Sequence, residues 1–238
     1  MTWHLFLAHF LADYPLQPGW MALNKRRPHI LIAHISVHFL VMLLLAGEAR
    51  RLVWPYLLAL ALAHMLIDIG KNTVQRLRPQ WVIGPYVIDQ MMHYATIVLT
   101  GAWIGRAVGP VALPFSSQAA ILAAAYLAGT YVWFISERIF AHADDSYRHE
   151  IQAQLWPRMA ARAAMLTVML GAFFWSGDLA SAQAFGLIGT QAFGFILLVS
   201  VAASVPYFSG QHRQRALLTD VTVSLILAIF AGAAMWLL

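Results

Sequence analysis

Cysteine is absent from the 238 residues, so no disulfide framework, thiolate metal site or cysteine nucleophile can exist. Any metal must be held by histidine and carboxylate. Charge is scarce as well, since Asp, Glu, Lys and Arg make up 11% of the chain, against roughly a quarter in an ordinary soluble domain. The shortfall runs along the whole length instead of sitting in one tail. It leaves no soluble domain to set apart, and residues 1–238 read as a single integral membrane domain. A Ser nucleophile motif, a Gly-rich phosphate loop and a dinucleotide fingerprint are missing too, which removes support for serine hydrolase, kinase and dehydrogenase readings. The N-terminus lacks a basic leader and a small-residue cleavage pattern, and Asp13, Pro15 and Pro18 interrupt its apolar run. That segment is expected to be retained, not removed as a signal peptide.

What is present is apolar: 61% of the residues are hydrophobic and the mean hydropathy is +0.68. Apolar runs of about 20 residues fall near 28–47, 53–72, 83–105, 117–139, 160–177, 183–205 and 217–238. The expected fold is therefore all-α, a polytopic transmembrane helix bundle of about seven spans plus a short or broken N-terminal membrane segment. Residues 2–14 could form only about 18 Å of helix, too little for a hydrocarbon core of roughly 30 Å. Pro15, Pro18 and Gly19 follow. The segment is a broken span reaching about Leu23, or a re-entrant half-helix whose backbone is satisfied by protein or a polar cavity.

The net charge of +5 and the pI near 9.8 do not point to nucleic acid, because the basic residues sit in connections between apolar runs. Lys25, Arg26, Arg27, Lys71, Arg76, Arg78, Arg138, Arg148, Arg158, Arg162, Arg213 and Arg215 share one side by parity, and Arg50, Arg51 and Arg106 the other. Twelve against three places the first side in the cytoplasm and the C-terminus outside, as expected for a bacterial inner (cytoplasmic) membrane protein surrounded by lipid.

Four pairs of ionisable residues carry the functional signal: His9 with Asp13, His34 with His38, His64 with Asp68, and Asp89 with His93. Each pair is spaced i and i+4, which puts both side chains on one helical face, one turn apart. Ionisable groups within membrane segments are costly and mark function, facing a bundle interior or a wet cavity. The last three pairs come out within roughly 6 to 18 Å of the same boundary at 1.5 Å per residue, so they can meet, and residues 1–105 carry the whole constellation. His9, Asp13, His34, His38, His64, Asp68, Asp89 and His93 are accordingly the candidate ligands of a divalent metal ion: zinc, manganese or magnesium. Five histidines and three aspartates exceed one coordination sphere. Either two metals share a carboxylate, or some members orient the imidazoles that bind. Lys71, three residues beyond Asp68, is placed to supply a cation to Asp68 or to a phosphate.

At these residues the sequence resembles the domain of unknown function 3307 family of bacterial membrane proteins. The matching stretches are HFLADYPLQPGWMALNK at 9–25, HISVH at 34–38, AHMLIDIGK at 63–71 and VIDQMMH at 87–93. The resemblance implies that Gln17, Lys25, Lys71 and Gln90 stand with the His and Asp pairs as characteristic polar positions, and it brings no established activity. The spacing is also similar, more distantly, to that of membrane-bound metal-dependent hydrolases.

Blander readings stand beside these. A lone histidine in a bundle is usually an interhelical hydrogen-bonding group, and the set as a whole could also form a proton or ion relay. His142, Asp144, Asp145, His149 and Glu150 read as a solvated connection, and Glu137 with Arg138 as an interfacial pair. Two functions fit the constellation. One is a metal-dependent hydrolase of a lipid-linked or amphiphilic substrate, in which the metal activates water, Asp68 or Asp89 acts as general base or bridging ligand and Lys71 stabilises developing charge. The other is a divalent-metal or proton-coupled transporter that uses the same residues.

Overall fold

The structure is a computed structural model that describes residues 1–175 and 211–238. The expected helix at 183–205 lies outside the described residues, which form helices and contain no strand. Three stretches among them are long and apolar enough to cross a membrane: Pro28–Leu77, Ser117–Phe140 and Arg213–Trp236. The chain divides into two compact units, Met1–Ala124 and Ala125–Leu238.

Unit 1 is built from α1 (Thr2–Asp13), α2 (Gly19–Asn24), α3 (Pro28–Ala46), α4 (Arg50–Leu77), α5 (Ile83–Ala107) and the first residues of α6 (Ser117–Leu127). Helix α3 opens on Pro28, whose missing N–H is an orphan in the first turn anyway. It stops at Gly47, where φ is +55° and an added Cβ would stand 2.7 Å from Pro114. Only glycine fits that turn. After one 3-10 turn the chain folds back as α4, which packs along α3 and in turn along α5. Helix α4 runs to Leu77, five residues past the expected end, because nothing stops it until Arg78, the residue before Pro79. Lys71 and Arg76 therefore belong to the helix and not to a connection.

The N-terminal segment is broken, as its prolines suggest. Helix α1 has 12 residues and ends at Asp13, and α2 follows only from Gly19. Helix α1 packs on α3 and α5 and lies antiparallel to α5: Thr2 abuts Gly101 at one end, and Tyr14 donates to Gln90 (3.2 Å) at the other. The core of the unit comprises Leu5, Ala8, Leu31, Ile35, Val53, Leu57, Ile97 and Ile104 among others. On the outer faces Leu40 and Leu44 of α3, Leu62 and Leu66 of α4, and Leu99 and Trp103 of α5 are exposed. Apolar surface outside and ionisable groups inside is the arrangement that a lipid solvent favours.

Unit 2 holds the end of α6, a π-helical turn (Ala128–Val132), α7 (Trp133–Phe140), α8 (Asp145–Ala153), α9 (Leu155–Trp175) and α10 (Arg213–Trp236). Helices α9 and α10 pack along one another, with the π turn against α9.

Gly101 lets α1 approach α5, since a Cβ there would collide with the Thr2 side chain and stand 3.2 Å from its Cα. Gly101→Ala should therefore lower stability by about 1–3 kcal/mol, the usual cost of overpacking. Adding Thr2→Gly should recover part of that loss in thermal unfolding of the detergent-solubilised protein.

Candidate metal centre

In each of the four helices the polar pair continues an apolar stripe. On α1 the buried face runs Leu5, Ala8, His9, Ala12; on α3, Leu31, His34, Ile35, His38, Val41, Met42. On α4 it runs Leu57, Leu60, Ala61, His64, Asp68, and on α5, Asp89, His93, Ile97, Gly101, Ile104. The hydrophobic residues that dock each helix thus fix the direction in which its His and Asp point. None of His9, His34, His38, His64, Asp68, Asp89 and His93 is more than 4% exposed, and the Asp13 side chain is 9% exposed.

Asp13 is the hub. Its Oδ1 lies 3.1 Å from His34 Nε2, 3.1 Å from His38 Nε2 and 3.8 Å from His64 Nε2, and the His34 and His64 Nε2 atoms are 3.3 Å apart. Ligands on a tetrahedral zinc at 2.0–2.1 Å stand roughly 3.4 Å from one another. The four residues can each offer a ligand atom within 4.8 Å of the others, close enough to share one ion, and the distances above lie near the tetrahedral spacing. A second group, His64, Asp68 and His93, meets the same limit and shares His64 with the first. His9 and Asp89 belong to neither group: His9 Nε2 lies 3.6 Å from Asp13 Oδ2, and Asp89 Oδ1 lies 3.5 Å from His93 Nε2.

Several buried polar atoms have no hydrogen-bond partner: His9 Nε2, Asp68 Oδ1, Asp89 Oδ1 and both ring nitrogens of His93. Buried polar groups are otherwise nearly always paired. Orphans in and beside the two ligand sets leave donor atoms that an ion can engage.

Lys25, from the connection before α3, lies 3.1 Å from Asp68 Oδ2 and 3.6 Å from Asp13 Oδ1. Lys71 lies 2.7 Å from Asp89 Oδ2 and 3.5 Å from Asp68 Oδ1. Asp68 thus carries one ammonium on each oxygen. Gln90 Nε2 donates to Asp89 Oδ2 (3.0 Å) and its Oε1 accepts from Tyr14. Lys25 was read from the sequence as a loop charge; it is buried, and only the family resemblance signalled it.

A family model described as a protein of unknown function, DUF3307, matches residues 1–120. The chain belongs to that family. The match ends four residues short of the end of unit 1, so the family's shared part is the unit that holds the His and Asp cluster. No curated protein and no solved structure matches the chain.

Unit 2 holds a second buried charge cluster that the sequence did not reveal. Arg158 donates to Glu137 Oε1 (2.8 Å) and, through two nitrogens, to Asp220 (2.7 and 3.1 Å). Arg162 donates to Asp220 Oδ1 (2.9 Å) and to the Thr130 carbonyl in the π turn (3.4 Å), and Tyr147 donates its hydroxyl to Glu137. Arg138, expected beside Glu137, instead lies over the Phe134 ring. Burial and the bond to Glu137 push the Tyr147 hydroxyl well above its ordinary range. The connection after α7 also contains α8, capped by Asp144, whose Oδ1 accepts from the Tyr147 N–H (3.0 Å). That bond holds the Asp144 carboxyl below its usual range. His142 and His149 are exposed there, as a solvated connection requires.

Removing one partner of a buried pair strands the other charge, at about 3–5 kcal/mol. Asp220→Ala should therefore destabilise unit 2 by that order in denaturant unfolding, whereas Arg51→Ala, at an exposed pair with Glu48, should leave the unfolding midpoint in place.

Proposed function

We propose that unit 1 is a membrane-embedded metal centre that performs metal-dependent hydrolysis of a lipid-linked or amphiphilic substrate. The observation that carries the metal reading is the close approach of Asp13, His34, His38 and His64, brought from three helices to within 4.8 Å of one another. An imidazole-rich set with one carboxylate suits zinc best and manganese next; magnesium, which prefers an all-oxygen shell, suits it least. The second group sharing His64 accommodates a neighbouring ion, or orients the first. A bound metal would supply an activated water and polarise the scissile group. Asp68 and Asp89 each present a buried oxygen without a hydrogen bond, a position from which a proton can be accepted, and Lys71 stands between them.

Hydrolysis is favoured over transport by where the polar residues stop. Next to His9, His38, His64 and His93 is a cavity of about 10 Å³ lined by Leu5, Met42, Leu60, Ala61, Thr96 and Ile97. That is room for about one water, with an apolar wall beyond it. A transporter of divalent metal or protons needs ligands or waters strung across the bilayer; beyond the cavity α3 and α4 offer no ionisable group other than Tyr56 until Glu48 and Arg51, and the buried polar side chains that continue there on α1 and α5 are His4 and Thr100.

We also propose seven spans with the basic connections in the cytoplasm and the C-terminus outside. Lys25, Lys71, Arg158 and Arg162 are held in the two buried clusters and contribute less to that count than loop residues, yet eight of the twelve basic residues on that side remain against three opposite. A reporter after Arg27 should read cytoplasm, and one at 108–115 outside; a cytoplasmic reading at 108–115 would reverse the orientation.

Elemental analysis of the purified protein should find at least one zinc or manganese per chain. His64→Ala and Asp13→Asn should each reduce that content to below about a tenth of the parent's, because each removes a ligand from a site water cannot easily refill. His142→Ala and His149→Ala should leave it unchanged. A parent that binds no metal, or a His64→Ala variant that binds as much as the parent, would make a hydrogen-bonded relay the better account.

A further inference from the structure

Lys25 lies against carboxylate oxygens that a metal would use, and Lys71 holds the other oxygen of Asp68 together with Asp89. Asp13 Oδ1, central to the first ligand set, is 3.6 Å from Lys25 Nζ, and Asp68 Oδ2, 3.5 Å from His34 Nε2 and 3.7 Å from His64 Nε2, is 3.1 Å from Lys25 Nζ. Lys25, Asp68, Lys71 and Asp89 form a chain of alternating charge that runs from this centre across α4 to α5. With its imidazoles neutral, the cluster of Asp13, Asp68, Asp89, Lys25 and Lys71 carries one net negative charge. A divalent ion turns that into one net positive charge, within a few ångströms of an ammonium that already neutralised the same oxygens. In a low-dielectric interior an unbalanced cation is costly. The balance is restored by an anion that takes over the lysines the metal displaces.

We propose that metal loading opens an anion site at Lys25 and Lys71 that takes a phosphoryl group, so that metal and phosphate bind cooperatively; this rests on the metal-centre reading above. Three features favour phosphate. Two ammonium groups bracket one carboxylate, Asp68, so an anion lying between them must reach both, as a tetrahedral oxyanion with several acceptor oxygens does. Asp68 Oδ1, Asp89 Oδ1 and His93 Nε2 have no hydrogen-bond partner, and they belong to the two carboxylates that Lys71 touches and to the imidazole beside Asp89. Access also lies there: the Lys71 side chain is 19% exposed, the most open of the ionisable groups in the cluster, and Tyr14, Tyr86 and Gln90 continue the polar lining from it toward the surface. At the other end of the cluster the small apolar-walled cavity admits nothing of that size.

By thermodynamic reciprocity, an anion that binds the loaded site more tightly must raise the affinity for the metal by the same factor. The test is Zn²⁺ binding by the full-length chain in phosphatidylcholine nanodiscs, measured against a competing chelator in three arms: no addition, inorganic phosphate, and nanodiscs containing phosphatidic acid. The proposal expects at least about tenfold tighter zinc with a phosphoryl source. Tightening with both sources points to a phosphate subsite open to water, and tightening with phosphatidic acid alone to a lipid headgroup. Lys71→Met should keep zinc and lose the tightening, and Lys71→Arg should restore it. Lys25→Met should bind zinc at least as tightly as the parent without phosphate, because a competitor for the carboxylates is gone. Helicity measured by circular dichroism shows which variants are folded. Zinc binding that neither phosphate source alters overturns this proposal and leaves the metal centre standing, and a parent that binds no zinc overturns both.

Discussion

Burying a carboxylate inside a bundle of apolar helices is the constraint from which the rest of unit 1 follows. An uncompensated ion in such a medium costs several kcal/mol even after relaxation, and the unit buries three: Asp13, Asp68 and Asp89. Each must meet a cation, a hydrogen-bond donor or a metal. That requirement decides where Lys25 and Lys71 go, why α1 must end beside α3 and α4, and why its break at Tyr14–Pro18 is tolerated. Were α1 to run on as a straight helix, Lys25 would lie 12 residues, or about 18 Å, from Asp13 along the axis. The break lets the chain turn so that the Lys25 ammonium returns to within 3.6 Å of that carboxylate.

Helical periodicity does the remaining positioning. A pair spaced i and i+4 shares a face with the residues that dock its helix, so ordinary packing of Leu, Ile and Ala aims the polar groups without a dedicated scaffold. Small residues set the distance: Ala8 and Ala12 on α1 and Gly101 on α5 let backbones come close enough for imidazoles from different helices to lie within one coordination radius. His64 and His93 then stack face to face, with ring centroids 3.9 Å apart.

This division of labour explains what was legible beforehand. Periodicity within one element can be read from sequence, so the membrane helices and the face carrying His34, His38, His64, Asp68, Asp89 and His93 were visible. Pairing across elements cannot be read that way. Lys25 sits in a run with Arg26 and Arg27, a pattern indistinguishable from a cytoplasmic anchor, and nothing local says it turns inward. Glu137 reads with its neighbour Arg138 as an interfacial pair, and Arg158, Arg162 and Asp220 each stand alone near an expected helix end, where a charge needs no explanation; only the folded unit shows that Glu137 and these three converge. An apolar run marks only the part of α4 that ends near residue 72; the helix itself continues through polar residues to Leu77, where Pro79 ends it.

The two buried clusters differ in a way that bears on function. The unit 2 network has two guanidiniums and two carboxylates, sums to zero, and is fastened by directed bonds, Asp220 receiving two nitrogens of Arg158 and one of Arg162. Its two atoms without a hydrogen bond, Glu137 Oε2 and Arg162 Nε, belong to residues already fixed by others. Such a set is complete as it stands and serves to lock α7, α9 and α10 together. The unit 1 cluster does not sum to zero and cannot satisfy itself. His34 Nε2 lies near Asp13 Oδ1 and His64 Nε2 at once, and a single ring N–H can serve only one of them well. Gluing helices together needs fewer groups, as the four charged residues of the unit 2 network show. An excess of ligating atoms over available donors, gathered at one point and kept from water, is what a site shows when part of its bonding is reserved for something that binds.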